Sequence, residues 1–394
     1  MQRIWWAVVV MVVLASCGPT GTAGLSPSSS ARLTPVASPS PIGSTIAILY
    51  QPVLGPVLPG TTFGAIHEAK VANGVITDRT VSQSTSGQLA ASTNGYAVLA
   101  VPRPGLATQQ NGPQPATVDL RTGAFRVYDL GPGTTICTLR GPDPTKLLVC
   151  QWTVDQSYLI LDLPTGAVMA VGSIDQLHAR PIAWTPRGIF FASCWPSCAN
   201  ATASIMDPKT LTMTTITTKA VVTAVSRRGT YLGGSENFYA ADTAYCSDSL
   251  FLIRTDQPSI ASGVRPGSLN PFVSQPKKDF RIVDVADDGS VLYTASDCRT
   301  PHQQPAPKSL YYFSGGQSTL QSGLDETADI YYMAAPQSPG LLLGGAIAVV
   351  ARRPNGINEI DLVHLCTSDT CQPAVTTIAR GDASVDAYAF SVLS

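Results

Sequence analysis

Two cysteines in the stretch SCWPSCANAT (193–202), Cys194 and Cys198, have the most obvious capacity for chemistry. Paired thiols can take part in redox exchange, supply half of a zinc site or close a disulfide. Redox exchange is disfavoured, because it normally uses C-x-x-C at a helix N-terminus and this spacing is C-x-x-x-C without a helical pattern. A zinc site needs further ligands from distant segments, and Cys246 and Cys298 are the candidates.

Other residues capable of catalysis are scattered. No H-x-x-x-H spacing or G-x-S-x-G elbow is present, and the four histidines are His67, His178, His302 and His364. The loop carboxylates are not paired by spacing for glycosidic chemistry; they are Glu236, Asp242, Asp248 and Asp297. The sequence therefore predicts no catalytic residue, no metal site and no cofactor.

The N-terminal segment has the composition of an export signal. Arg3 precedes the apolar stretch IWWAVVVMVVLA, which is shorter than the ~20 residues of a membrane span and fits a signal peptide. The stretch ends in Leu14-Ala15-Ser16-Cys17, which resembles the lipobox of bacterial lipoproteins. The resemblance implies that residues 1–16 are removed and that Cys17 is acylated and held in a lipid bilayer. We therefore expect an extracytoplasmic position in the cell envelope.

Residues 17–44 are predicted to be a disordered tether that begins with the lipidated cysteine. They are rich in Ser, Pro, Thr and Gly and contain almost nothing that could form a core. The whole chain is only 13% charged and has a net charge of −1. No basic run indicates binding to nucleic acid. The folded body is expected at 45–394.

The body contains a weak repeat of roughly 45 residues, and each unit has an inner hairpin (strands a and b) followed by an outer hairpin (c and d). The inner hairpins are predicted at 89–101, 137–150, 181–193, 222–234, 281–296 and 330–351, and the outer ones at 117–131, 159–173, 203–217, 250–263, 310–323 and 360–378. Four short strands per unit at this spacing are typical of a β-propeller blade.

The two ends of the body complete a seventh unit. Residues 385–392 have the form of strand a, and residues 45–52, 63–70 and 74–81 have the form of b, c and d. Pairing the ends gives a composite blade that closes the ring and removes exposed sheet edges. The sequence therefore predicts an all-β fold, a seven-bladed β-propeller with four strands in each blade.

The repeat resembles the broad WD40-like, TolB-like group of bacterial propellers, through turns such as DLRTG (119–123) and DLPTG (162–166). No blade carries the Gly-His and Trp-Asp pair of WD40 proteins, so the resemblance is architectural. Members of that group serve as interaction platforms, envelope assembly factors, sugar-binding modules and enzymes. A propeller fold therefore implies no particular function.

Loop length distinguishes the two faces of the predicted propeller. The a–b and c–d turns share one face and are short, whereas the b–c loops on the other face are long, at 102–116, 194–202, 235–249, 297–309 and 352–359. Long loops on a rigid scaffold commonly carry function. Aromatic, Arg and His side chains of these loops are the candidate binding residues: Arg103, Trp195, Tyr239, Tyr245, Arg299, His302, Arg352 and Arg353.

Eight cysteines remain after Cys17, an even number that indicates disulfides in an exported protein. Because of their positions in hairpins and neighbouring loops, we expect four bonds: Cys137–Cys150, Cys366–Cys371, Cys246–Cys298 and Cys194–Cys198. The last would form a small ring that presents Trp195. Zinc bound by the four loop cysteines remains the alternative.

Two classes of function remain open. The favoured prediction is a binding or scaffold module with a monomeric body, whose ligand is an envelope protein or a polysaccharide. The alternative is a propeller enzyme, a polysaccharide lyase or hydrolase, with its site at the channel mouth on the b–c side. An enzyme should gather carboxylates or histidines there, for example two buried carboxylates within about 6 Å, whereas a binding module should present aromatic and Arg side chains.

Overall fold

A computed structural model of the 394-residue chain gives the fold. The structure describes residues 45–54, 62–83, 87–93, 95–103, 113–131, 133–137, 142–151, 157–173, 179–193, 201–218, 221–235, 238–240, 244–247, 249–256, 271–298, 309–322, 324, 340–344, 346–353, 356–382 and 384–393. The predicted signal peptide, Cys17 and the tether lie outside these residues.

Thirty-one β-strands and no helix are found in the described residues. Accordingly, no helix within these ranges is long and apolar enough to cross a membrane. Twenty-eight of the strands form seven antiparallel four-stranded blades, which are arranged as a β-propeller.

Within each blade the strands follow the order a, b, c, d from the channel outwards. Blade 1 contains β31 (Val385–Leu393), β1 (Ile46–Leu54), β3 (Ile66–Ala72) and β4 (Val75–Ser82), and blade 2 contains β5 (Gln88–Thr93), β6 (Tyr96–Val101), β7 (Gln114–Asp119) and β8 (Phe125–Val127). Blade 3 contains β9 (Thr134–Ile136), β10 (Lys146–Gln151), β11 (Ser157–Asp162) and β12 (Val168–Ser173), and blade 4 contains β13 (Arg180–Thr185), β14 (Gly188–Ser193), β15 (Thr202–Met206) and β16 (Met213–Thr218). Blade 5 contains β17 (Val221–Val225), β18 (Tyr231–Ser235), β21 (Ser249–Arg254) and β22 (Val273–Ser274). Blade 6 contains β23 (Lys278–Val285), β24 (Val291–Asp297), β25 (Ser309–Ser314) and β26 (Gln317–Leu320). Blade 7 contains β27 (Gly340–Gly344), β28 (Ile347–Arg352), β29 (Glu359–His364) and β30 (Ala374–Arg380). The remaining strands are β2 (Thr62–Phe63), which pairs with the end of β1, and β19 (Phe238–Ala240) and β20 (Ala244–Cys246), which pair with each other.

The ring is closed by the two ends of the body, as the sequence predicts. Strand β31 pairs with β1 from Ala47↔Leu393 to Leu54↔Val385, with a register shift at Val53. This composite blade 1 therefore contains strand a from the C-terminal part of the chain and strands b, c and d from its N-terminal part.

The apolar core lies in the seams between blades. Between blades 7 and 1, for example, Val349 and Leu362 pack with Ile48 and Phe390. The inner strands are apolar on both sides because each blade contacts two neighbours, whereas an outer strand such as β4 is mostly exposed.

Three of the predicted hairpins differ from the structure. In blade 7, where the inner hairpin is predicted at 330–351, strand a is Gly340–Gly344, and residues 330–339 lie outside the described residues. In blade 3, strand a is Thr134–Ile136 and ends before the predicted 137–150 hairpin begins. The segment that follows contains Pro142 and Pro144, which lack the N–H groups that a strand pair needs.

In blade 5, the predicted outer hairpin at 250–263 is wrong, because strand d is Val273–Ser274 and pairs with Ser249 and Leu250. The preceding residue, Phe272, packs against Tyr293 and Phe313 of blade 6, with centroid distances of 6.0 and 4.5 Å. This aromatic contact fixes the late position of strand d, and the c–d connection of blade 5 is consequently long.

Candidate functional site

The antiparallel order of the strands defines two faces. The face that carries the a–b and c–d turns is called the short-turn face, and the face that carries the b–c and d–a connections is called the long-loop face. The c–d turns of blades 1 and 6 contain two residues each, Asn73–Gly74 and Gly315–Gly316, between paired strands. The predicted difference in loop length holds in blades 1, 2, 4 and 6, but not throughout the ring. The c–d connection of blade 5 is long, and the a–b connection of blade 3 (137–145) and the c–d connection of blade 7 (365–373) are longer than the b–c loops of the same blades (152–156 and 353–358).

An additional hairpin occupies the long-loop face of blade 5. Strands β19 and β20 lie within the b–c loop that the sequence predicts at 235–249, and they pair through Phe238↔Cys246, Tyr239↔Tyr245 and Ala240↔Ala244. These two strands are called the insertion hairpin. The backbones of Tyr239 and Tyr245, two candidate binding residues, are thereby placed directly opposite each other.

The insertion hairpin is bound to strand a of the next blade. The backbone N–H of Ser247 donates to Oδ1 of Asp279 at 3.2 Å, and the backbone N–H of Phe280 donates to the carbonyl of Ser247 at 2.8 Å. Asp279 and Phe280 belong to β23, the strand of blade 6 that lines the channel. The end of the hairpin is therefore fixed at the channel mouth, on the long-loop face.

Charged side chains lie beside this attachment point. Arg281 is about half exposed and pairs through Nε with Oδ2 of Asp279 at 3.0 Å. Lys278 precedes Asp279 in the same strand, and its Nζ contacts Oδ1 of Asp297 on strand b at 2.7 Å. Sequence analysis missed Asp279 and Arg281, although the alternation of charged and apolar residues in KDFRIVDV (278–285) is an available signal in an inner strand.

Two of the predicted disulfides are confirmed. Cys137 bonds to Cys150 with a Cα–Cα distance of 5.3 Å, and Cys366 bonds to Cys371 with a Cα–Cα distance of 5.7 Å. In both cases the hairpin brings the two cysteines together, as the sequence predicts.

Cys298 is disulfide-bonded as well. Its backbone N–H donates to the carbonyl of Lys277 at 3.0 Å, directly before the strand that binds Ser247, the neighbour of Cys246. This placement supports the predicted Cys246–Cys298 bond, whose pairing stays a prediction. A bonded cysteine cannot supply a zinc thiolate, so the four-cysteine zinc alternative loses one ligand. Cys194 and Cys198 lie outside the described residues.

Arg103 and Arg352, two candidate binding residues, are used within the fold. Arg103 is only 10% exposed, pairs with Oδ1 of Asp129 at 2.9 Å and also donates to the carbonyl of Gly131. Arg352 is 13% exposed and pairs with Asp361 and with Glu359. Arg353, in contrast, is exposed and donates through Nε to the carbonyl of Gly356 at 3.2 Å. The remaining candidates, Trp195, Arg299 and His302, lie outside the described residues.

Two buried carboxylates lie at the long-loop end of blade 7, but not at the channel mouth. Glu359 and Asp361 are on strand c, so β28 and β27 separate them from the channel. Arg352 contacts both of them, and Nε of Arg380 contacts Glu359 at 3.2 Å. Two guanidinium groups neutralise these carboxylates, and the cluster is an ion-pair network rather than a general acid and base pair.

A histidine–carboxylate contact occurs on blade 1. Nδ1 of His67 lies 3.2 Å from Oδ2 of Asp78, and the ring of Tyr50 stacks on His67 with centroids 4.9 Å apart. Burial, and then the Asp78 carboxylate, raise the pKa of Tyr50, so its hydroxyl stays protonated and donates to Asp78 at 3.1 Å. These residues belong to strands b, c and d, away from the channel. Among the described residues, no three His, Cys, Asp or Glu side chains are grouped to hold a metal ion.

Comparisons with solved structures return β-propellers. The β-propeller domain of the Trilobed protease from Pyrococcus furiosus, which has an open velcro topology, is 9% identical with a TM-score of 0.51, over 84% of this chain and 94% of that one. TolB from Acinetobacter baumannii is 12% identical over 88% and 82%, with a TM-score of 0.42. The Pyrococcus horikoshii acylaminoacyl peptidase is 8% identical over 84% and 50%, with a TM-score of 0.48. No protein-family model and no curated protein matches the chain. The similarity to the first propeller extends to the fold alone.

Proposed function

We propose that this protein is a lipid-anchored, extracytoplasmic propeller that binds an envelope protein or a polysaccharide through its long-loop face. In this proposal, Cys17 holds the protein in the bilayer, residues 17–44 form the tether, and the propeller presents the binding site. The body acts as a rigid scaffold, and no cofactor is required.

The insertion hairpin is the observation that carries the proposal. It is an addition to the regular four-stranded blade, and the contacts of Ser247 with Asp279 and Phe280 fix it at the channel mouth. Rigid attachment lowers the entropy that a binding loop loses when its partner associates. Tyr239 and Tyr245 on this hairpin are aromatic residues of the type that anchors interfaces.

The neighbouring charges suit a polar ligand. Arg281 is half exposed, and Arg353 is exposed on the same face. Guanidinium groups recognise carboxylates, and they also stack on aromatic rings. An envelope protein with an acidic segment, or an acidic polysaccharide, would match this combination.

Capture from solubilised cell envelopes tests the binding site. Three forms of the purified full-length protein should be compared: the wild type, a Tyr239→Ala/Tyr245→Ala variant and a control, Arg121→Ala/Lys209→Ala, with both changes on the short-turn face. We expect the wild type and the control to retain the same partner, and the hairpin variant to lose at least ten-fold of it. Equal recovery by all three forms would overturn the hairpin as the site.

Replacement of the lipobox cysteine tests the anchor separately. A Cys17→Ser chain should no longer incorporate labelled fatty acid and should leave the mature membrane fraction, while the disulfides of the body stay intact. Persistence of the acyl label on the variant would contradict lipidation at Cys17.

A further inference from the structure

Large apolar side chains are exposed at one edge of the propeller. All seven in the described residues lie on strand d or in the c–d turn of a blade, and they are 39–63% exposed: Val75, Phe125, Val127, Val168, Met169, Leu211 and Val375. They belong to blades 7, 1, 2, 3 and 4, which are consecutive in the ring. Together they are called the apolar rim.

The apolar rim lies on the short-turn side of these blades. Val75 and Val168 are the first residues of their d strands, and Val375 is the second residue of its strand. Farther along two of the same strands, Val171 and Ile378 are buried. In these two strands, apolar residues are exposed at the start and covered towards the end, whereas all three residues of the short strand β8, including Phe125 and Val127, are exposed.

The rim does not extend to blade 6. Strand β26 begins with Gln317 and Ser318, which are exposed and polar. The apolar rim is consequently an arc over one side of the short-turn face rather than a general property of outer strands.

The first strand of the body begins at this same face and within this arc. Strand β1 is strand b of blade 1, so its first residue, Ile46, lies at the a–b end, beside Leu393 and Ala47. Residues 17–44 precede it, and a proline-rich segment spans about 3 Å per residue. A tether of this length allows the short-turn face to reach the bilayer without forcing it to do so.

We propose that the apolar rim docks on the surface of the lipid bilayer that holds Cys17, so that the short-turn face points to the membrane and the long-loop face points away. This inference rests on the lipid anchor of the proposed function. Phe125, Met169 and Leu211 would enter the boundary between headgroups and acyl chains, as apolar side chains of peripheral proteins do.

Charge contributes little to this docking. Arg121 and Lys209 lie on the turns of the rim, but Asp119 and Asp207 lie on the same two turns and accept their backbone N–H groups. Since each of these two turns carries one residue of each sign, docking should depend on the apolar side chains and should not require anionic lipid. Binding to zwitterionic phosphatidylcholine vesicles is therefore the appropriate probe.

A depth measurement on the full acylated protein tests the proposal. A polarity-sensitive fluorophore is attached at Met169→Cys in the rim or at Arg353→Cys on the long-loop face, without reduction of the native disulfides. The wild-type chain gives the labelling background. Each form is reconstituted into phosphatidylcholine vesicles with and without doxyl-labelled lipid. We expect several-fold stronger quenching at position 169 than at position 353, with a blue shift only at position 169.

A second variant relates the effect to the rim. With the fluorophore at Leu211→Cys, the changes Phe125→Ser, Val168→Ser and Met169→Ser should abolish quenching, while the protein still floats with the vesicles. Anionic lipid should change neither result.

Each of the other outcomes overturns either the docking of the rim or the lipid anchor. Flotation with equal quenching at positions 169 and 353 would refute the docking alone and leave the anchor intact. A blue shift at 169 without quenching by doxyl lipid would indicate contact between copies of the chain and would also refute it. Failure of the wild type to float would overturn the anchor, and the docking with it.

Discussion

On the short-turn face, the aspartates that end strand c in blades 2 and 3 close their own turns, whereas Gln51 and Ser247 on the long-loop face contact the neighbouring blade. Asp119 Oδ1 accepts the backbone N–H groups of Arg121 and Thr122 at 2.8 and 2.9 Å. Asp162 Oδ1 accepts the backbone N–H and the hydroxyl of Thr165 at 3.0 and 2.6 Å. These contacts lie within a few residues of each other in the chain.

Contacts between blades span much longer separations and occur on both faces; on the short-turn face, Arg126 donates to the carbonyls of Pro164 and Thr165. Gln51 of blade 1 donates to the carbonyl of Gly87 at 3.1 Å and accepts the N–H of Leu89 at 2.7 Å, both at the entry to blade 2. Ser247 and Asp279 connect blades 5 and 6 in the same way. Contacts between blades depend on the assembled ring, so their loss should cost more stability than the loss of a contact within one turn.

The largest effect is expected from the ion-pair network of blade 7. Arg352→Met leaves Asp361, which is fully buried, without its cation; among the described residues its other oxygen, Oδ1, has no hydrogen-bond partner. Loss of one partner of a buried pair costs about 3–5 kcal/mol of the free energy of unfolding. Urea unfolding of the variant checks this value.

The neighbouring arginine is the matched control. Arg353→Met removes an exposed guanidinium from the same loop and should change stability by less than about 0.5 kcal/mol. Similar losses of stability in the two variants would show that the ion-pair network around Arg352 does not stabilise blade 7.

The disulfides provide the next comparison. Peptide mapping without reduction should find Cys246 linked to Cys298 and Cys194 linked to Cys198. Replacing both Cys246 and Cys298 by serine opens a loop between blades and should cost about 4 kcal/mol in the chain-entropy model.

The short-turn face again has a matched control. The Cys366–Cys371 bond closes a sequence separation of 5 residues, so its loss should cost about 2 kcal/mol.

If peptide mapping finds Cys194 and Cys198 as free thiols, or either of them bonded to another cysteine, the predicted Cys194–Cys198 bond is incorrect.

Gln51 tests a neutral contact between blades. Gln51→Met keeps the volume but leaves the N–H of Leu89 and two carbonyls without their partner. Unsatisfied buried groups cost about 1–3 kcal/mol. Gln317→Met, at an exposed position, should be neutral in the same unfolding assay, and an equally neutral Gln51→Met would refute the structural role of this amide.

The smallest effect concerns the contribution of one short turn to the pH dependence of stability. The hydroxyl and then the backbone N–H of Thr165 hold the pKa of Asp162 below its ordinary value. Because the pKa is lower in the folded state, the ionised carboxylate stabilises the folded protein at pH values above the pKa of Asp in the unfolded chain, which is about 4. This contribution is lost as the pH falls through the pKa of Asp162 in the folded state. Asn accepts the same hydrogen bonds without titrating.

Asp162→Asn should therefore be slightly less stable than the wild type at neutral pH, because a charged acceptor makes stronger hydrogen bonds, and it should lose less stability between pH 5 and pH 3. Thermal unfolding over this range is the measurement. A steeper acid loss in the variant than in the wild type would contradict the role assigned to this carboxylate.

The difference between local contacts and contacts between distant segments also determines what sequence analysis could predict. The strands and the turns are local patterns of alternation and turn residues, and they were predictable. The ring closure through β31 was predictable because the repeat leaves one strand at the C-terminal end of the body and three at the other end. So were the Cys137–Cys150 and Cys366–Cys371 bonds, because each lies within one hairpin or turn.

The features that were missed depend on contacts between distant segments. The late strand d of blade 5 is fixed by Phe272 against blade 6, and the burial of Arg103 depends on Asp129 beyond the next two strands. The sequence identified Arg103 and Arg352 as candidate binding residues because Arg is common at interfaces, but their partners become visible only when the blade is assembled. The insertion hairpin was likewise predicted only as a long loop, since three-residue strands carry too little alternation.

Photo-cross-linking from the two faces in intact cells is the decisive test of binding through the long-loop face. A photoreactive phenylalanine analogue is placed at Tyr239 or Tyr245 on the insertion hairpin, and at Arg121 or Arg187 on the short-turn face, in the full-length acylated protein. The account predicts one discrete protein or glycan adduct from the hairpin positions and none of that adduct from the short-turn positions. The same adduct from the short-turn positions, with none from the hairpin, would contradict it.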